Sequence, residues 1–242
     1  METAVDARFA LLERLFDHAP MFPPASLSPA EAIREDQRAR ESSSAFALGR
    51  LVWPASRLEE APLGRRLSVV LDAPLEPDPR VEAVEVPPGG DVESAAALAP
   101  EVYVEVALDD ELDRTLGEVK RLGLRAKVRC SSGPKRLPWF MLECRARQIA
   151  FKATAGLHHA IRSDGEHGFL NLLAAAVFGD EGDPLFETDP EAFELTGERF
   201  RVRGRSATAD DIASGRRRFH SIGTCSFFEP VEELEALGIL PL

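Results

Sequence analysis

Lys152 stands inside the run Ile149-Ala-Phe-Lys-Ala-Thr-Ala155, and Gly156 then opens a turn into His158 and His159. A short apolar run bounded by glycine reads as a buried strand. Side chains alternate across a strand, so Lys152 and Thr154 share the face opposite Phe151 and Ala153. A lysine is almost never buried without a partner or a purpose. As a neutral amine it could form a Schiff base with a carbonyl substrate; as an ammonium it could act as an acid or hold an anion.

The strand that carries Lys152 needs neighbours, and the sequence supplies them. Strands are predicted at Leu48 to Pro54, Leu67 to Asp72, Val81 to Val86, Val102 to Val106, Leu124 to Arg129, Ile149 to Ala155 and Phe219 to Phe227. Helical patterns at Val92 to Ala99, Asp110 to Leu122 and Leu137 to Arg147 separate several of them. Alternation of strand and helix argues for a parallel sheet. The link from Leu75 to Arg80 is too short and proline-rich for a helix, which predicts one degenerate unit. The expected fold is α/β, a single-domain TIM-barrel-like (β/α)8 fold. An open doubly wound sheet is the alternative, but no Gly-x-Gly-x-x-Gly turn follows the first strand.

Valines alternate with charges in the central strands. If Val84, Val86, Val102, Val104, Val106 and Val128 face the helices, then Glu85, Glu105, Lys127, Arg129 and Lys152 face the interior. Neighbouring strands lie about 4.8 Å apart, so these groups form one cluster. Lys127 and Arg129 beside a buried Lys152 would favour its neutral amine, with Glu85 or Glu105 moving protons. The same cations could instead hold a substrate carboxylate, phosphate or enolate while a lysine acts as acid or base. The competing reading is an ion-pair layer that only fills the barrel. Its weakness is the several kcal/mol that each desolvated charge costs.

Several other residues carry possible chemistry. His158 is a candidate acid, base or ligand at a strand end, with His159 and Thr154 beside the substrate and His167 in the next loop. With Glu85 and Glu105, His158 could bind a divalent metal for hydrolysis, although no His-x-x-x-His or Cys-x-x-Cys spacing is present. Gly223-Thr-Cys-Ser226 lies where late loops of barrels often offer backbone N–H groups to phosphate, and Gly223, Thr224 and Ser226 are candidate substrate contacts. A small-residue strand packed on a neighbour would look the same. Cys130, beside Ser131 and Ser132, and Cys225 read as small buried hydrophobes before nucleophiles. Arg216-Arg-Arg218 most simply complements a helix dipole.

Composition narrows the partners. The 242 residues carry a net charge of −12, which repels nucleic acid and anionic lipid, while the interior cations Lys127 and Arg129 make a small anionic metabolite the expected partner. Three scattered cysteines fit reduced thiols, and with no leader-like segment or spanning run a cytoplasmic protein is expected. Residues 1–45 are expected to form a helical extension packed on the barrel. It contains a helix from Ala4 to His18, the extended Phe22-Pro-Pro-Ala25, and a second helix opened by the capping box Ser28-Pro-Ala-Glu31. A hydrophobic helix from Phe169 to Phe178 and a small hairpin around Thr196-Gly-Glu are expected late in the chain.

The segments Phe22-Pro-Pro-Ala25, Lys152-Ala-Thr-Ala-Gly-Leu-His-His159, His167-Gly-Phe-Leu-Asn171 and Gly223-Thr-Cys-Ser-Phe-Phe-Glu-Pro230, with Lys127-Val-Arg129, together resemble a family of uncharacterised bacterial proteins. Two departures stand out. Cys130-Ser-Ser132 replaces a Thr-Gly-Gly, and Ala160 stands in place of proline. The resemblance implies a common site and no particular activity. Taken together, the residues lead to an enzyme of lyase, aldolase or isomerase type using Lys152. A metal-dependent hydrolase and a non-catalytic binding barrel are the alternatives.

Overall fold

The structure is a computed structural model that describes residues 5–131 and 136–242. Ala4 and Ser132, both named above, lie outside the described residues. Seven parallel strands come first: β1 (Phe16–His18), in place of an expected helix, and, as expected or nearly so, β2 (Leu48–Pro54), β3 (Leu67–Val70), β4 (Val81–Val86), β5 (Glu101–Val106), β6 (Arg125–Arg129) and β7 (Phe151–Thr154). Next, β8 (Phe193–Leu195), β9 (Phe200–Val202) and β10 (Arg205–Ala207) make a separate antiparallel sheet, and β11 (Phe219–Thr224) returns to the barrel. The closed order is β1-β11-β7-β6-β5-β4-β3-β2, so the α/β barrel read from the alternation is the observed fold.

Helices cover the outside: α1 (Ala7–Leu12), α2 (Pro29–Glu41), α3 (Val92–Ala95), α4 (Leu112–Arg121), α5 (Leu137–Arg147), α6 (Phe169–Phe178), α7 (Asp183–Phe186), α8 (Ala209–Arg216) and α9 (Phe228–Ala236). The Ser28 capping box is present with Pro29 in the first turn, and Thr208 and Asp211 make a second one for α8. The link from β3 to β4 has no helix, which is the degenerate unit. From Phe169 to Ala176 every residue of α6 is buried, because α7, α8 and β10 cover the sides that the barrel leaves open. Among the described residues no helix is long and apolar enough to cross a membrane.

The start of the chain departs from expectation. The helix expected to reach His18 ends at Leu12; Arg14 then takes a left-handed backbone conformation (φ 49°) and turns the chain into β1. Phe16, Asp17 and His18 pair with Ile222, Gly223 and Thr224 of β11 on one side, and β2 lies on the other. Residues 1–45 are therefore no mere extension, since they supply the strand that closes the barrel. Closure gives the backbone of β2 and β11 hydrogen-bond partners, and this outweighs the local helical pattern.

Candidate active site at the carboxyl ends of the strands

Alternation places valine outside and charge inside, as the sequence implies. Val84, Val86 and Val102 pack in one outer apolar cluster, and Val104, Val106 and Val128 in another. Within the barrel the charges form a continuous chain. Lys152 Nζ donates to Asp17 Oδ2 at 2.6 Å and to Glu85 Oε1 at 2.7 Å. Lys127 Nζ lies 2.8 Å from Glu85 Oε2 and 2.9 Å from Glu105 Oε2. Hydroxyls add second donors to the oxygens that Lys152 meets: Ser221 donates to Asp17 Oδ2 and Ser68 to Glu85 Oε1, both at 2.8 Å. The Arg50 backbone N–H also donates to Asp17, at 2.8 Å. That approach requires Gly49, because a Cβ there would stand 2.5 Å from Asp17 Oδ1.

These distances reverse one expectation about Lys152. Burial by itself would lower the pKa of its ammonium, but the adjacent Asp17 and Glu85 carboxylates outweigh burial and raise it. Lys152 is fully buried, and its ammonium also sits 5.4 Å from the centre of the Tyr103 ring. Carboxylates, and not Lys127 and Arg129, are its nearest charges, so the neutral amine of a Schiff-base mechanism is disfavoured. Burial would likewise raise the Glu85 carboxyl; Lys127 and Lys152 overcome this and hold it well below the usual carboxylate range. Asp17 is lowered in the same sense, with Lys152 and Arg50 prevailing over burial.

Above this layer lies a cavity of ≈ 470 Å³ at the carboxyl ends of the strands. Ala19, Phe22, Pro23, Pro24, Val52, Val70 and Leu157 give it an apolar wall. Glu85, Glu105, Lys127, Arg129, His158 and Glu166 form the charged wall, with Thr154, Gly223 and Thr224 between. The accessible lysine is Lys127; Lys152 lies beneath the floor and does not line the cavity. The Arg129 side chain is exposed and has no ion pair or hydrogen bond among the described residues. Thr154 Oγ1 is buried and also lacks a partner among them. Gly156 (φ 69°) lets the β7 loop touch the β6 loop, since a Cβ there would lie 2.8 Å from the Ser131 nitrogen.

Other expected contacts are not at the cavity. His159 faces away, with Nδ1 3.1 Å from Glu233 on α9, whereas His158 lines the cavity with Nδ1 3.8 Å from Glu229. Ser226 does not line it; the Thr224 hydroxyl donates to the Ser226 carbonyl at 2.7 Å. His167 is buried, with Nδ1 3.3 Å from Arg162. Cys130 and Cys144 are buried thiols whose pKa is pushed up by burial, that of Cys130 to about 12, which makes both poor nucleophiles. Glu85 spends its oxygens on two lysines and a serine, so it does not join Glu105 and His158 as a metal donor set. Among the described residues no group of three or more His, Cys, Asp or Glu is placed to hold a metal ion.

Neither family models, nor curated proteins, nor solved structures give a match to this chain.

The residues that the sequence reading missed are Asp17, Ser68, Tyr103 and Ser221. Tyr103 was within reach, because it precedes Glu105 by one alternation on β5 and so shares its inward face. Asp17 carried no such signal, lying in a strand of three residues.

Proposed function

We propose that the barrel is an enzyme acting on a small anionic metabolite by proton abstraction next to a carbonyl or carboxylate, an isomerase or lyase that works through Lys127 and not Lys152. The observation that supports this reading is the pairing at one cavity of Arg129, whose side chain has no partner among the described residues, with a Lys127 held between two carboxylates. An ammonium has three N–H donors. Glu85 and Glu105 take two, which leaves one for a substrate oxygen.

The roles follow from those positions. Arg129 binds the substrate carboxylate or phosphate, and the apolar wall from Phe22 to Val70 takes the hydrocarbon part. Glu105, more accessible than Glu85, removes the proton from carbon; the electron pair moves onto the carbonyl oxygen and Lys127 stabilises the enolate. Where the deprotonated carbon bears a hydroxyl, return of the proton to the former carbonyl carbon, with the hydroxyl proton passing to the former carbonyl oxygen, gives isomerisation. Where the carbon on the other side of the deprotonated one bears a leaving group, the enolate electron pair forms a carbon–carbon double bond as that group departs with its bonding pair, which gives a lyase. Glu85, with its proton affinity depressed, keeps Lys127 charged and in place.

The test is proton exchange. A panel of small keto and hydroxy acids is incubated with the protein in D2O, and loss of the carbon-bound proton signal is followed by NMR. Exchange of one class is expected, abolished in Glu105→Gln and Lys127→Met, with weakened binding in Arg129→Gln. Tight binding without exchange would make the barrel a ligand-binding protein, and exchange that survives in Lys127→Met would remove the proposed mechanism.

A further inference from the structure

The amino ends of the same strands enclose a second cavity, of ≈ 230 Å³, lined by Arg14, Asp17, Gly49, Arg50, Glu101, Arg216, His220 and Ser221. In barrels this face ordinarily serves stability, and a purely structural face would match its charges. This one does not. Glu82, just outside the cavity, receives three guanidinium groups: Arg14 at 3.0 Å, Arg50 at 3.1 Å and Arg66 at 3.2 Å. Glu101 receives Arg50 at 2.9 Å and Arg125 at 3.5 Å. Asp17 is committed to Lys152.

Arg216 contributes most to the imbalance. Its guanidinium donates to two backbone carbonyls, Phe219 at 3.1 Å and Glu13 at 3.2 Å, and pairs with no carboxylate among the described residues. Desolvation lowers its pKa, against the attraction of Asp17 and Glu13, which is the condition of a cation short of counter-charge. Four guanidinium groups, of Arg14, Arg50, Arg66 and Arg125, thus gather on Glu82 and Glu101, and Arg216 adds a fifth cation near Glu13, in a protein whose net charge is −12. His220 adds no negative charge; its Nε2 faces the Arg217 carbonyl and its Nδ1 the Tyr103 hydroxyl.

We infer that this lower cavity is a second anion site, distinct from the upper one, and that it takes a phosphate-class oxyanion between Arg14 and Arg216. Guanidinium groups suit a tetrahedral oxyanion, because each can offer two parallel N–H donors. Arg14, whose side chain is 44% exposed, leaves the cavity accessible. Arg50, which also lines the cavity, supplies further positive potential while remaining tied to Glu82 and Glu101.

The probes are inorganic phosphate and glycerol 3-phosphate, each titrated calorimetrically against chloride at equal ionic strength. Inorganic phosphate should bind and raise the melting temperature where chloride does not, and the monoester should bind as well if the cavity accepts a phosphoryl end. Arg14→Gln and Arg216→Gln should each weaken phosphate by about tenfold or more, the loss of one charge-assisted contact. Arg129→Gln removes anion binding at the proposed substrate cavity, so phosphate that still binds this variant, and that Arg14→Gln then weakens, belongs to the lower site. Because Arg14 is half exposed, Arg14→Gln should fold like the wild type. An equal response to chloride, complete loss of phosphate binding in Arg129→Gln, or binding in that variant that Arg14→Gln leaves undiminished would each overturn the assignment.

Discussion

The Lys152 ammonium meets the Asp17 carboxylate at 2.6 Å, reaching past β11 to join β7 to β1 inside the barrel. The two residues are 135 positions apart in the chain, so this contact ties the closing strand to the middle of the fold.

Replacing Lys152 by Met should therefore act on stability first. It would strand Asp17 and Glu85 as buried carboxylates sharing too little positive charge, and removing one partner of a buried pair costs about 3–5 kcal/mol. Urea unfolding measures this directly. Adding Asp17→Asn should return part of the loss, since one of the stranded charges disappears. A Lys152→Met protein within about 0.5 kcal/mol of wild type, the range of an ordinary surface substitution, would contradict the structural weight given to the Lys152–Asp17 contact.

How far the sequence led can be judged from Lys152 and Asp17 themselves. Lys152 was legible, because a charge among Phe151, Ala153 and the valines of neighbouring strands has only one face to occupy. Glu85, Glu105 and Lys127 were legible for the same reason. Which charge pairs with which was not, because pairing depends on the stagger of the strands and on a partner from a remote segment. Asp17 lies in three residues that follow Phe9, Leu12 and Leu15 at helical spacing, and no alternation can show in so short a strand. Without Asp17 and Glu85 as its neighbours, Lys152 looked like a lysine beside two cations, and the sign of its pKa shift came out reversed.

Glu85 gives a pH dependence with a definite sign. Its folded pKa is depressed below the ordinary 4.5, so the folded state binds fewer protons than the unfolded chain as pH falls. The stabilisation is complete above that value and is lost progressively under acid. The difference in unfolding free energy between wild type and Glu85→Gln should be large at neutral pH and shrink below about pH 4.5. A difference that stays constant down to pH 3, about 1.5 units lower, would rule out the ionised Glu85 as the source.

His18 should show the opposite sign. It is buried on β1, with Nδ1 3.4 Å from Asp36 and Nε2 3.6 Å from Glu35; burial would lower its pKa, but these carboxylates raise it above 6.5. Asp36 is itself fixed by Arg65 through bonds of 2.9 and 3.0 Å. A raised histidine stabilises fully below its unfolded pKa and loses that contribution as pH rises through the folded value. Wild type should lose stability relative to His18→Asn as pH rises above about 6.5 and through the folded midpoint. NMR titration of the His18 ring locates the midpoint, and a midpoint below 6.5 would oppose this account.

Gly49→Ala tests the same ion pair from the backbone side. Gly49 sits beside Asp17 with its Cβ direction aimed at Oδ1, where a methyl group would come to 2.5 Å, and the Arg14 and Phe16 carbonyls at 3.1 Å block any sideways escape. The backbone there is not left-handed, so conformational strain is absent and the cost is steric. Either β2 moves away from β1 or Asp17 leaves Lys152 and the Arg50 N–H; overpacking of this kind costs about 1–3 kcal/mol. The two outcomes separate in a double-mutant cycle with Lys152→Met. If the methyl acts by displacing Asp17, then in Lys152→Met, where Asp17 has already lost its partner, alanine should cost distinctly less, giving a coupling above the roughly 0.5 kcal/mol expected of independent sites. Additive losses would mean that the strands separate instead, and that the Asp17 carboxylate keeps its place under the pressure of the new methyl group.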